Sequence, residues 1–417
     1  MKLERAKGVR DFAPEEKIVR QEIVEQIRQI FELCGFSPLE TPILERLDVL
    51  SAKYAGGADI LKETFKLKDQ GGRELGLRYD LTVPLARFIG MNPGIKMPFK
   101  RYQIGSVFRD GPIKLGRYRE FWQCDVDVVG IDSMKADAEI VSLTQDVFSK
   151  LGLDIVIKIN NRKILDSILD EVGVKKEKRT AAILAIDKLE KFGSAEVKKE
   201  LKAAKLSDFG IKKLMKLISI KDISELKEQL KDMQGINEIN ELMGYISKTD
   251  VEFTPSLARG LAYYTGTIFE VFLKKSKITG AVAAGGRYDE MIGRFVGPEK
   301  IIPAVGIAFG LDVIMDAVKL KQKPGQKTVT KVYIIPIQTF KESFRIAQEL
   351  RNAGIKTDID LSGRGPSKNL NYANAMNIPY VIFVGEEELK QQKVKLKDMK
   401  TGKEELLDIS RLIEVLK

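Results

Sequence analysis

The sequence of 417 residues contains no histidine, and this absence excludes several kinds of chemistry. Without imidazole there can be no Ser-His-Asp hydrolase and no histidine general base, and most zinc sites are ruled out. Cysteine is also scarce, because Cys34 and Cys124 are the only two and form neither a metal-type pair nor a disulfide framework. We therefore expect a reducing, cytoplasmic location and chemistry based on Arg, Lys, Asp, Glu, Tyr or carboxylate-held metal ions.

Long apolar runs are missing as well, so the sequence predicts no membrane span, and the N-terminal MKLERAKGVRDF lacks the apolar core of a signal peptide. The length predicts two or three domains. Lys and Arg number 70 against 59 Asp and Glu, and the isoelectric point is about 9.2. This surplus is compatible with a polyanionic partner, although many soluble proteins are equally basic.

Apolar periodicity divides the chain into regions. A helix is predicted after Pro14, and ELGLRYDLTVPLARFIG predicts a strand, a polar turn and a helix beginning at Pro84. Residues 161–245 are rich in lysine and have apolar residues at amphipathic helical spacing, a pattern that predicts a helical insertion. A polar linker at 323–330 precedes alternating β and α signals over 331–417, which predict a compact, mostly parallel α/β domain.

The stretch FRDGPIKLGRYREFWQCDVDVVG, residues 108–130, predicts a β-hairpin around a basic turn. Side chains alternate between the two faces of a strand, so the returning arm has an apolar face with Cys124 and a polar face. The polar face carries Arg119, Phe121, Gln123, Asp125 and Asp127. A half-buried hairpin with its polar face in solvent is the default interpretation. The alternative is a floor that binds a planar, charged ligand, because arginine forks suit phosphate or carboxylate and an aromatic ring offers stacking.

Three further segments, LRYDLTVPLARF, LARGLAYYTGTIFEV and AAGGRYD, are ambiguous individually. Together with GRYREFWQCDVD, and in this order, they resemble the histidyl-tRNA synthetases, which are class II aminoacyl-tRNA synthetases. The resemblance runs from KGVRDFAPEE to GEEELKQQKVKLKDM. It implies an α+β fold: an antiparallel-sheet catalytic domain over 1–160 and 246–322, the helical insertion at 161–245, and a C-terminal α/β anticodon-binding domain over 331–417.

The resemblance also implies an activity and its partners. ATP and L-histidine would form histidyl-adenylate, and the histidyl group would then be transferred to the tRNA for histidine. Mg²⁺ is expected with ATP, held mostly by phosphates and water with little protein coordination. A homodimer is expected, with the segment around Pro42 at its interface.

Residue roles follow from the same resemblance. Arg109 matches the arginine that holds the α-phosphate and the amino-acid carboxylate, Arg117 one that holds the outer phosphates, and Phe121 the ring that stacks on adenine. The family residues that match Asp80, Thr82 and Gln123 bind the α-amino group, and those that match Asp127 and Tyr264 bind the imidazole. Arg259 is expected near the α-phosphate, the alternative being a structural ion pair. Tyr263 and Tyr288 are further pocket candidates, the alternative being wall packing.

Two positions depart from the family pattern. Ala262 stands where the family often has aspartate. Val313 stands where class II enzymes commonly place an arginine that contacts the γ-phosphate and covers the adenine. Either a neighbouring basic side chain substitutes for it, or the chain belongs to a variant branch of the family. In the C-terminal domain Arg364 and Lys368 are candidates for contact with the anticodon. The lysines of the insertion would either contact the tRNA acceptor arm or form a solvated helical face.

Two other functions remain open at this point. One is a non-catalytic paralogue that regulates the first enzyme of histidine biosynthesis, although such paralogues usually lack the anticodon domain and lose catalytic motifs. The other is a sensor that only binds histidine. The absence of histidine is itself open to two explanations, drift or continued translation of the protein when histidine is short.

Overall fold

The computed structural model describes residues 2–52, 61–113, 116–259, 263–297, 300–321 and 327–417. The chain divides into two compact units, one made of Met1–Arg10 and Ile23–Lys321 and the other of Asp11–Glu22 and Gln322–Lys417. Within the described ranges, none of the helices combines the length and the apolar character that crossing a membrane requires.

The strands and helices are numbered in chain order. The strands are β1 Ser37–Pro38, β2 Leu44–Arg46, β3 Lys66–Lys68, β4 Glu74–Leu77, β5 Phe99–Phe108, β6 Glu120–Val129, β7 Ile155–Asn161, β8 Val251–Phe253, β9 Thr267–Leu273, β10 Ala283–Arg287, β11 Ala304–Gly310, β12 Val332–Pro336, β13 Thr357–Ile359, β14 Tyr380–Val384, β15 Val394–Asp398 and β16 Glu404–Leu407. The helices are α1 Pro14–Leu33, α2 Leu47–Ala52, α3 Thr82–Met91, α4 Met134–Lys150, α5 Arg162–Glu171, α6 Lys176–Asp187, α7 Leu189–Ala203, α8 Asp208–Leu217, α9 Ile223–Lys227, α10 Gln234–Tyr245, α11 Gly293–Val296, α12 Leu311–Lys321, α13 Phe340–Asn352, α14 Pro366–Ala375, α15 Glu386–Lys390 and α16 Ile409–Leu416.

An eight-stranded sheet in the order β1-β5-β6-β11-β10-β9-β7-β8 organises the first unit. Its pairs are antiparallel except for β1 with β5 and β7 with β8. Strands β2, β4 and β3 form a separate small sheet. The predicted antiparallel sheet with flanking helices is therefore confirmed.

The apolar face of the hairpin arm lies against the core, as its period-two pattern predicts. Cys124 and Val126 are fully buried. On the paired strand β11, the ring of Phe309 lies 5.7 Å from that of Phe31 in α1 and 5.8 Å from that of Phe148 in α4. Helices therefore cover this face of the sheet, and the polar residues of β6 belong to the opposite face.

Helices α5 to α10 follow one another between β7 and β8, from Arg162 to Tyr245. They occupy the lysine-rich region, and each of the longer ones buries one apolar face, as Ile164 and Ile168 in α5 illustrate. The extent of this region as a separate domain stays a prediction.

Helix α3 begins at Thr82, two residues earlier than the predicted start at Pro84. A side-chain oxygen of Asp80 accepts a hydrogen bond from the backbone N–H of Val83 at 3.0 Å and so supports the first turn. Pro84 still lies within that turn, where a missing N–H breaks no intrahelical hydrogen bond. The earlier start places Asp80 and Thr82 at the helix N-terminus.

The second unit contains a five-stranded sheet in the order β13-β12-β14-β15-β16. The first two pairs are parallel and the last two antiparallel, so the prediction of a mostly parallel sheet is wrong. The reason is that β15, which forms a hairpin with β16, also pairs antiparallel with the edge of β14. The turn of the hairpin is stabilised by Asp398, whose carboxylate accepts from the backbone N–H groups of Lys400 and Thr401 at 2.8 and 2.9 Å.

Candidate active site

The polar face of β6 is part of a wider floor across the sheet. Residues directly opposite one another on paired strands share a face. The cross-strand rows on this face are Arg101–Asp127–Gly306–Gly286, Gln103–Asp125–Ala308–Ala284 and Gly105–Gln123–Gly310. In these rows strands β10 and β11 thus contribute only glycine and alanine, which lets neighbouring side chains approach the backbone closely, while β5 and β6 contribute the polar groups.

Asp127 is held in the floor by two partners. Its side chain is buried, with Arg101 Nη2 at 2.7 Å from Oδ2 and the hydroxyl of Tyr288 donating to Oδ1. A Cβ on Gly306 would lie 2.0 Å from Oδ1, so only glycine leaves room for this carboxylate. Burial, together with the neighbouring Asp127, raises the pKa of Tyr288 well above its ordinary value and keeps the phenol protonated.

The default interpretation of the hairpin, a polar face in solvent, is therefore wrong for this end of β6. Asp125 and Asp127 are only 2% and 3% exposed. A carboxylate is buried at this depth only when partners compensate its desolvation. Arg101 supplies that compensation for Asp127, and it was missed in the sequence because it lies on the first arm of the hairpin.

A tyrosine cluster lies over the glycine-rich strand β10. Tyr264 Oη accepts from Arg259 Nη1 and from the Tyr263 hydroxyl, each at 3.1 Å. The two tyrosine rings are 4.4 Å apart, and the Tyr263 ring meets that of Tyr288 edge-on at 6.2 Å. A Cβ on Gly286 would lie 2.8 Å from the Tyr264 ring, so the glycine of AAGGRYD allows this close approach. The cluster thus extends from Arg259 to Tyr288, whose hydroxyl donates to Asp127.

Arg259 is a fixed cation at the other end of this cluster. Its Nε lies 3.6 Å from Glu270 Oε1, and its guanidinium carbon lies 5.3 Å from the centre of the Tyr264 ring. Burial alone would lower the pKa of Arg259, but Tyr264 and Glu270 outweigh burial and raise it. At 3.6 Å this ion pair is long, which is weak support for the alternative of a structural ion pair. The role of Arg259 near a phosphate stays a prediction. Residues 260–262, which include Ala262, lie outside the described residues.

The segment before α3 runs beside β5 and carries the predicted amine-binding residues. The carbonyl groups of residues 79 and 81 accept from Arg109 Nε at 3.1 Å and from Arg101 Nη2 at 3.2 Å. Asp80 and Thr82 therefore lie along the same edge of the floor. Gln123 lies in the row Gly105–Gln123–Gly310 of the floor. Its buried Oε1 has no hydrogen-bond partner among the described residues. An unsatisfied buried acceptor is unfavourable by about 1–3 kcal/mol, and a ligand amine would relieve this penalty.

Two predicted phosphate-binding arginines differ in their present contacts. The guanidinium carbon of Arg109 lies 5.1 Å from the centre of the Phe121 ring. Phe121 and Asp127 share a strand face by period two, so Arg109 and Asp127 belong to the same side of the sheet. Arg117 is 42% exposed, and its Nη2 lies 2.7 and 2.8 Å from the two carboxylate oxygens of Glu63, a partner that no sequence pattern indicated.

The corner around Val313 contains a basic side chain from the N-terminal segment. A side-chain carbon of Val313 lies 3.5 Å from where a Cβ of Gly116 would stand, so this residue faces the hairpin loop. Arg10 donates to Asp312, and its guanidinium carbon lies 3.7 Å above the Tyr118 ring. Arg10 was not singled out in the sequence. It is a basic residue next to the position where class II enzymes commonly have arginine.

Within the described parts of the chain, no group of three or more Asp, Glu or Cys side chains is arranged to hold a metal ion. The side chains of the floor are instead arginines and groups that form hydrogen bonds. They suit phosphates and a carboxylate at the Arg109 end and a nitrogen heterocycle at the Asp127 end.

An antiparallel sheet with this floor defines the catalytic domain of a class II aminoacyl-tRNA synthetase. Comparison of the sequence with known families makes the assignment specific. The family described as "Histidyl-tRNA synthetase" matches residues 8–314, and the one described as "Anticodon binding domain" matches residues 331–417. The chain belongs to the histidyl-tRNA synthetase family.

Individual relatives agree with this assignment. "Histidine--tRNA ligase 1" of Bacillus cereus (strain ZK / E33L) is 43% identical over 428 residues, which covers 100% of both chains. The crystal structure of histidyl-tRNA synthetase from Nostoc sp. PCC 7120 superposes with a TM-score of 0.88 at 29% identity, covering 100% of this chain and 99% of that one. A Bacillus halodurans structure, described as an ATP phosphoribosyltransferase regulatory subunit/histidyl-tRNA synthetase, has a TM-score of 0.76 at 23% identity, covers 92% of this chain and 98% of that one, and shares the fold.

Proposed function

We propose that the protein activates L-histidine with ATP and transfers it to the tRNA for histidine. The observation that carries this proposal is the buried carboxylate of Asp127, held between Arg101 and Tyr288 on the same floor as Arg109. Such a carboxylate accepts the N–H of an imidazole, and Tyr264 offers a second polar contact. A pocket of buried polar groups rejects ligands that leave those groups unpaired, often by about 10⁴-fold or more.

The remaining ends of the amino acid have fitting partners. Asp80, Thr82 and Gln123 would bind the α-ammonium group, because carboxylate, hydroxyl and amide oxygens all accept from an N–H. The histidine carboxylate would then lie towards Arg109. The pocket therefore orients the carboxylate as the nucleophile, and positioning of this kind contributes a large share of the catalytic effect.

ATP would bind along the Arg109 end of the floor, with its adenine on Phe121. A carboxylate oxygen of histidine attacks the α-phosphorus, and the bond to pyrophosphate breaks. Arg109 and Arg259 would flank the charge that grows on the α-phosphate. The terminal hydroxyl of the tRNA then attacks the activated carbonyl, and AMP leaves. Mg²⁺ bound to the outer phosphates would supply further positive charge there.

Arg117 has to exchange partners in this scheme. Its guanidinium now binds Glu63, and the Glu63 carbonyl also accepts from the backbone N–H of Asp110 at 2.6 Å. Incoming outer phosphates would replace the carboxylate, because phosphate oxygens accept from the same guanidinium and carry more negative charge. Glu63 would thereby hold the hairpin loop before the nucleotide arrives.

The assembly and the use of the domains complete the proposal. We assign residues 1–160 and 246–322 to catalysis, 161–245 to the acceptor arm and 331–417 to the anticodon. A homodimer in the cytoplasm is proposed from the family. The half-exposed Ile43 and Leu44 support its interface, because they follow Pro42 and lead into the outer strand β2 of the small sheet.

Histidine-dependent exchange of pyrophosphate into ATP tests this function. Exchange that requires histidine, followed by charging of the tRNA, is the expected result. A regulatory paralogue would show no exchange, and a sensor would bind histidine without exchange. Absence of exchange at saturating histidine would therefore refute the enzyme assignment.

A further inference from the structure

The carboxylate of the pocket already has a counter-ion in the absence of a ligand. Arg101 and Asp127 are 0% and 3% exposed, and Arg101 Nη2 lies 2.7 Å from Asp127 Oδ2. The same nitrogen donates to the carbonyl of residue 81 at 3.2 Å. Nε and Nη1 of Arg101 have no hydrogen-bond partner among the described residues, so no second carboxylate there is hydrogen-bonded to this cation. The buried pair is therefore one cation with one carboxylate.

The other charged side chains of the floor are mixed in sign. The cations are Arg78, Arg109 and Arg259, and the carboxylates are Asp80, Asp125 and Glu270. Asp125 acts on the buried guanidinium of Arg78, and Arg259 Nε lies 3.6 Å from Glu270 Oε1. In the proposed complex Asp80 and Arg109 are matched by the ammonium and carboxylate groups of the amino acid. Strand β11 presents only glycine opposite Asp127, so the ring of the ligand enters surroundings with balanced charge.

The phenol on the other side of the pocket can act only as a donor towards a ligand. A phenol oxygen has two lone pairs and one hydrogen. Tyr264 Oη accepts from Arg259 Nη1 and from the Tyr263 hydroxyl, each at 3.1 Å, so its contact with a ligand uses its hydrogen. Burial raises the pKa of Tyr288, which keeps its proton and donates it to Asp127 Oδ1. The pocket thus presents an acceptor, Asp127, and a donor, Tyr264.

This arrangement matches a neutral imidazole and not an imidazolium. The neutral ring has one N–H and one nitrogen that accepts, whereas the protonated ring has two N–H groups and a positive charge. The second N–H would meet the hydrogen of Tyr264. The charge would add to that of Arg101 in a buried site, where an uncompensated charge is strongly unfavourable. A pocket with Asp127 alone would instead favour the imidazolium.

We propose that Arg101 sets the charge of the imidazole pocket, so that the protein binds histidine with a neutral ring and excludes histidine with a protonated ring. This inference rests on the proposed function and adds the protonation state of the substrate to it. Arg101 acts through Asp127 and is a positioning residue, because it does not itself contact the ring.

Binding of L-histidine to the full chain at two pH values tests the proposal. The free ring has a pKa of about 6.5, so only about a tenth of the histidine is neutral at about pH 5.5. Kd should therefore be about tenfold higher at about pH 5.5 than at about pH 7.5. Calorimetry in buffers of different ionisation enthalpy should show release of about 0.9 proton per histidine at the lower pH. Equal Kd values without proton release would show that the imidazolium binds and would overturn the proposal.

The analogue 1,2,4-triazol-3-ylalanine separates titration of the ring from titration of the protein. Its ring offers the same N–H and acceptor nitrogen but stays neutral between the two pH values. Its Kd should therefore change by less than about twofold. A loss of about tenfold for this analogue as well would show that a protein group titrates, which contradicts the proposal.

Substitutions of Arg101 test the residue itself. Arg101→Met leaves Asp127 without its cation, so the ratio of the two Kd values should shrink to within about threefold and less proton should be released. Arg101→Lys keeps the charge and should retain the tenfold ratio. Arg78→Met is the matched control, because Arg78 is also buried but donates to the carbonyls of Ser106 and Thr41, and it should retain the ratio too. A tenfold ratio in Arg101→Met would refute the assigned role.

A double variant covers the case in which Arg101→Met does not fold. Arg101→Met combined with Asp127→Asn removes both buried charges and leaves neither of them unpaired. The amide oxygen still accepts an N–H, and the pocket stays uncharged. About 0.9 proton should therefore still be released at about pH 5.5, and loss of this release would overturn the charge argument.

Failure of this inference is distinguishable from failure of the proposed function. If wild-type protein shows histidine-dependent pyrophosphate exchange but binds the imidazolium, only the role of Arg101 is refuted. If wild-type protein shows no exchange, the proposed function fails first, whatever the pH dependence of histidine binding.

Discussion

Tyr264→Phe is the substitution that probes the pocket with the least structural change. It removes one oxygen and keeps the ring, which packs close to Gly286 and 4.4 Å from the Tyr263 ring. The lost oxygen accepts from Arg259 Nη1 and from the Tyr263 hydroxyl, each at 3.1 Å. In the proposed complex it also contacts the imidazole.

The expected magnitude follows from these contacts. A neutral hydrogen bond contributes about 0.5–1.5 kcal/mol and one to a charged group about 1.5–3 kcal/mol. Loss of the imidazole contact and misplacement of Arg259 should together lower kcat/KM for histidine by about 2–4.5 kcal/mol, or roughly 30- to 2000-fold. Tyr263→Phe removes one neutral donor and leaves the Arg259 contact, so its loss should be only about 2- to 13-fold.

Histidine-dependent pyrophosphate exchange measures both variants, and thermal unfolding controls for stability. Both proteins should unfold within a few degrees of the wild type, because neither substitution opens a cavity. If Tyr264→Phe keeps wild-type kinetics, or if Tyr263→Phe is the more damaging change, the assignment of the phenol to the imidazole pocket is wrong.

Three other perturbations test neighbouring contacts. The pKa of Tyr288 is raised in the folded protein, so the unfolded chain loses this proton first and the free energy of unfolding should fall as the pH rises above about 10. Tyr288→Phe should make this fall less steep, by an amount equivalent to up to about one proton, in denaturant midpoints measured against pH. Glu63→Gln should lower KM for ATP severalfold in exchange assays by releasing Arg117, and an increase would contradict that competition. Arg10→Gln should raise KM for ATP about tenfold with little change in KM for histidine. Adding Val313→Arg to this variant should restore KM for ATP. If neither substitution changes KM for ATP, Arg10 serves only as the ion-pair partner of Asp312.

The sequence was most informative about the hairpin itself. Strand alternation from Arg119 to Asp127 correctly separated the core-facing Cys124 and Val126 from the polar face, because a half-buried strand encodes its two faces in its period. Arg101 lies opposite Asp127 on β5, and this pairing depends on the hairpin register, which alternation along β6 does not give. Family resemblance added the residues of distant segments, which pattern alone does not connect.

The partners that depend on tertiary contact could not be read from the sequence. The bond between Tyr288 and Asp127 joins positions 161 apart, and only the register of β6, β11 and β10 brings them together. Glu63 and Arg10 reach the site from irregular segments without periodicity. The β15–β16 hairpin was missed although its turn contains two typical turn residues, Asp398, which accepts from backbone N–H groups, and Gly402, whose φ is 76°.

A crystal structure with histidine and a non-hydrolysable ATP analogue tests the central claim most directly. We expect the imidazole between Asp127 and Tyr264, the adenine on Phe121, and the α-phosphate between Arg109 and Arg259. A ligand bound on the opposite face of the sheet, or an imidazole with no contact to Asp127, would contradict the account.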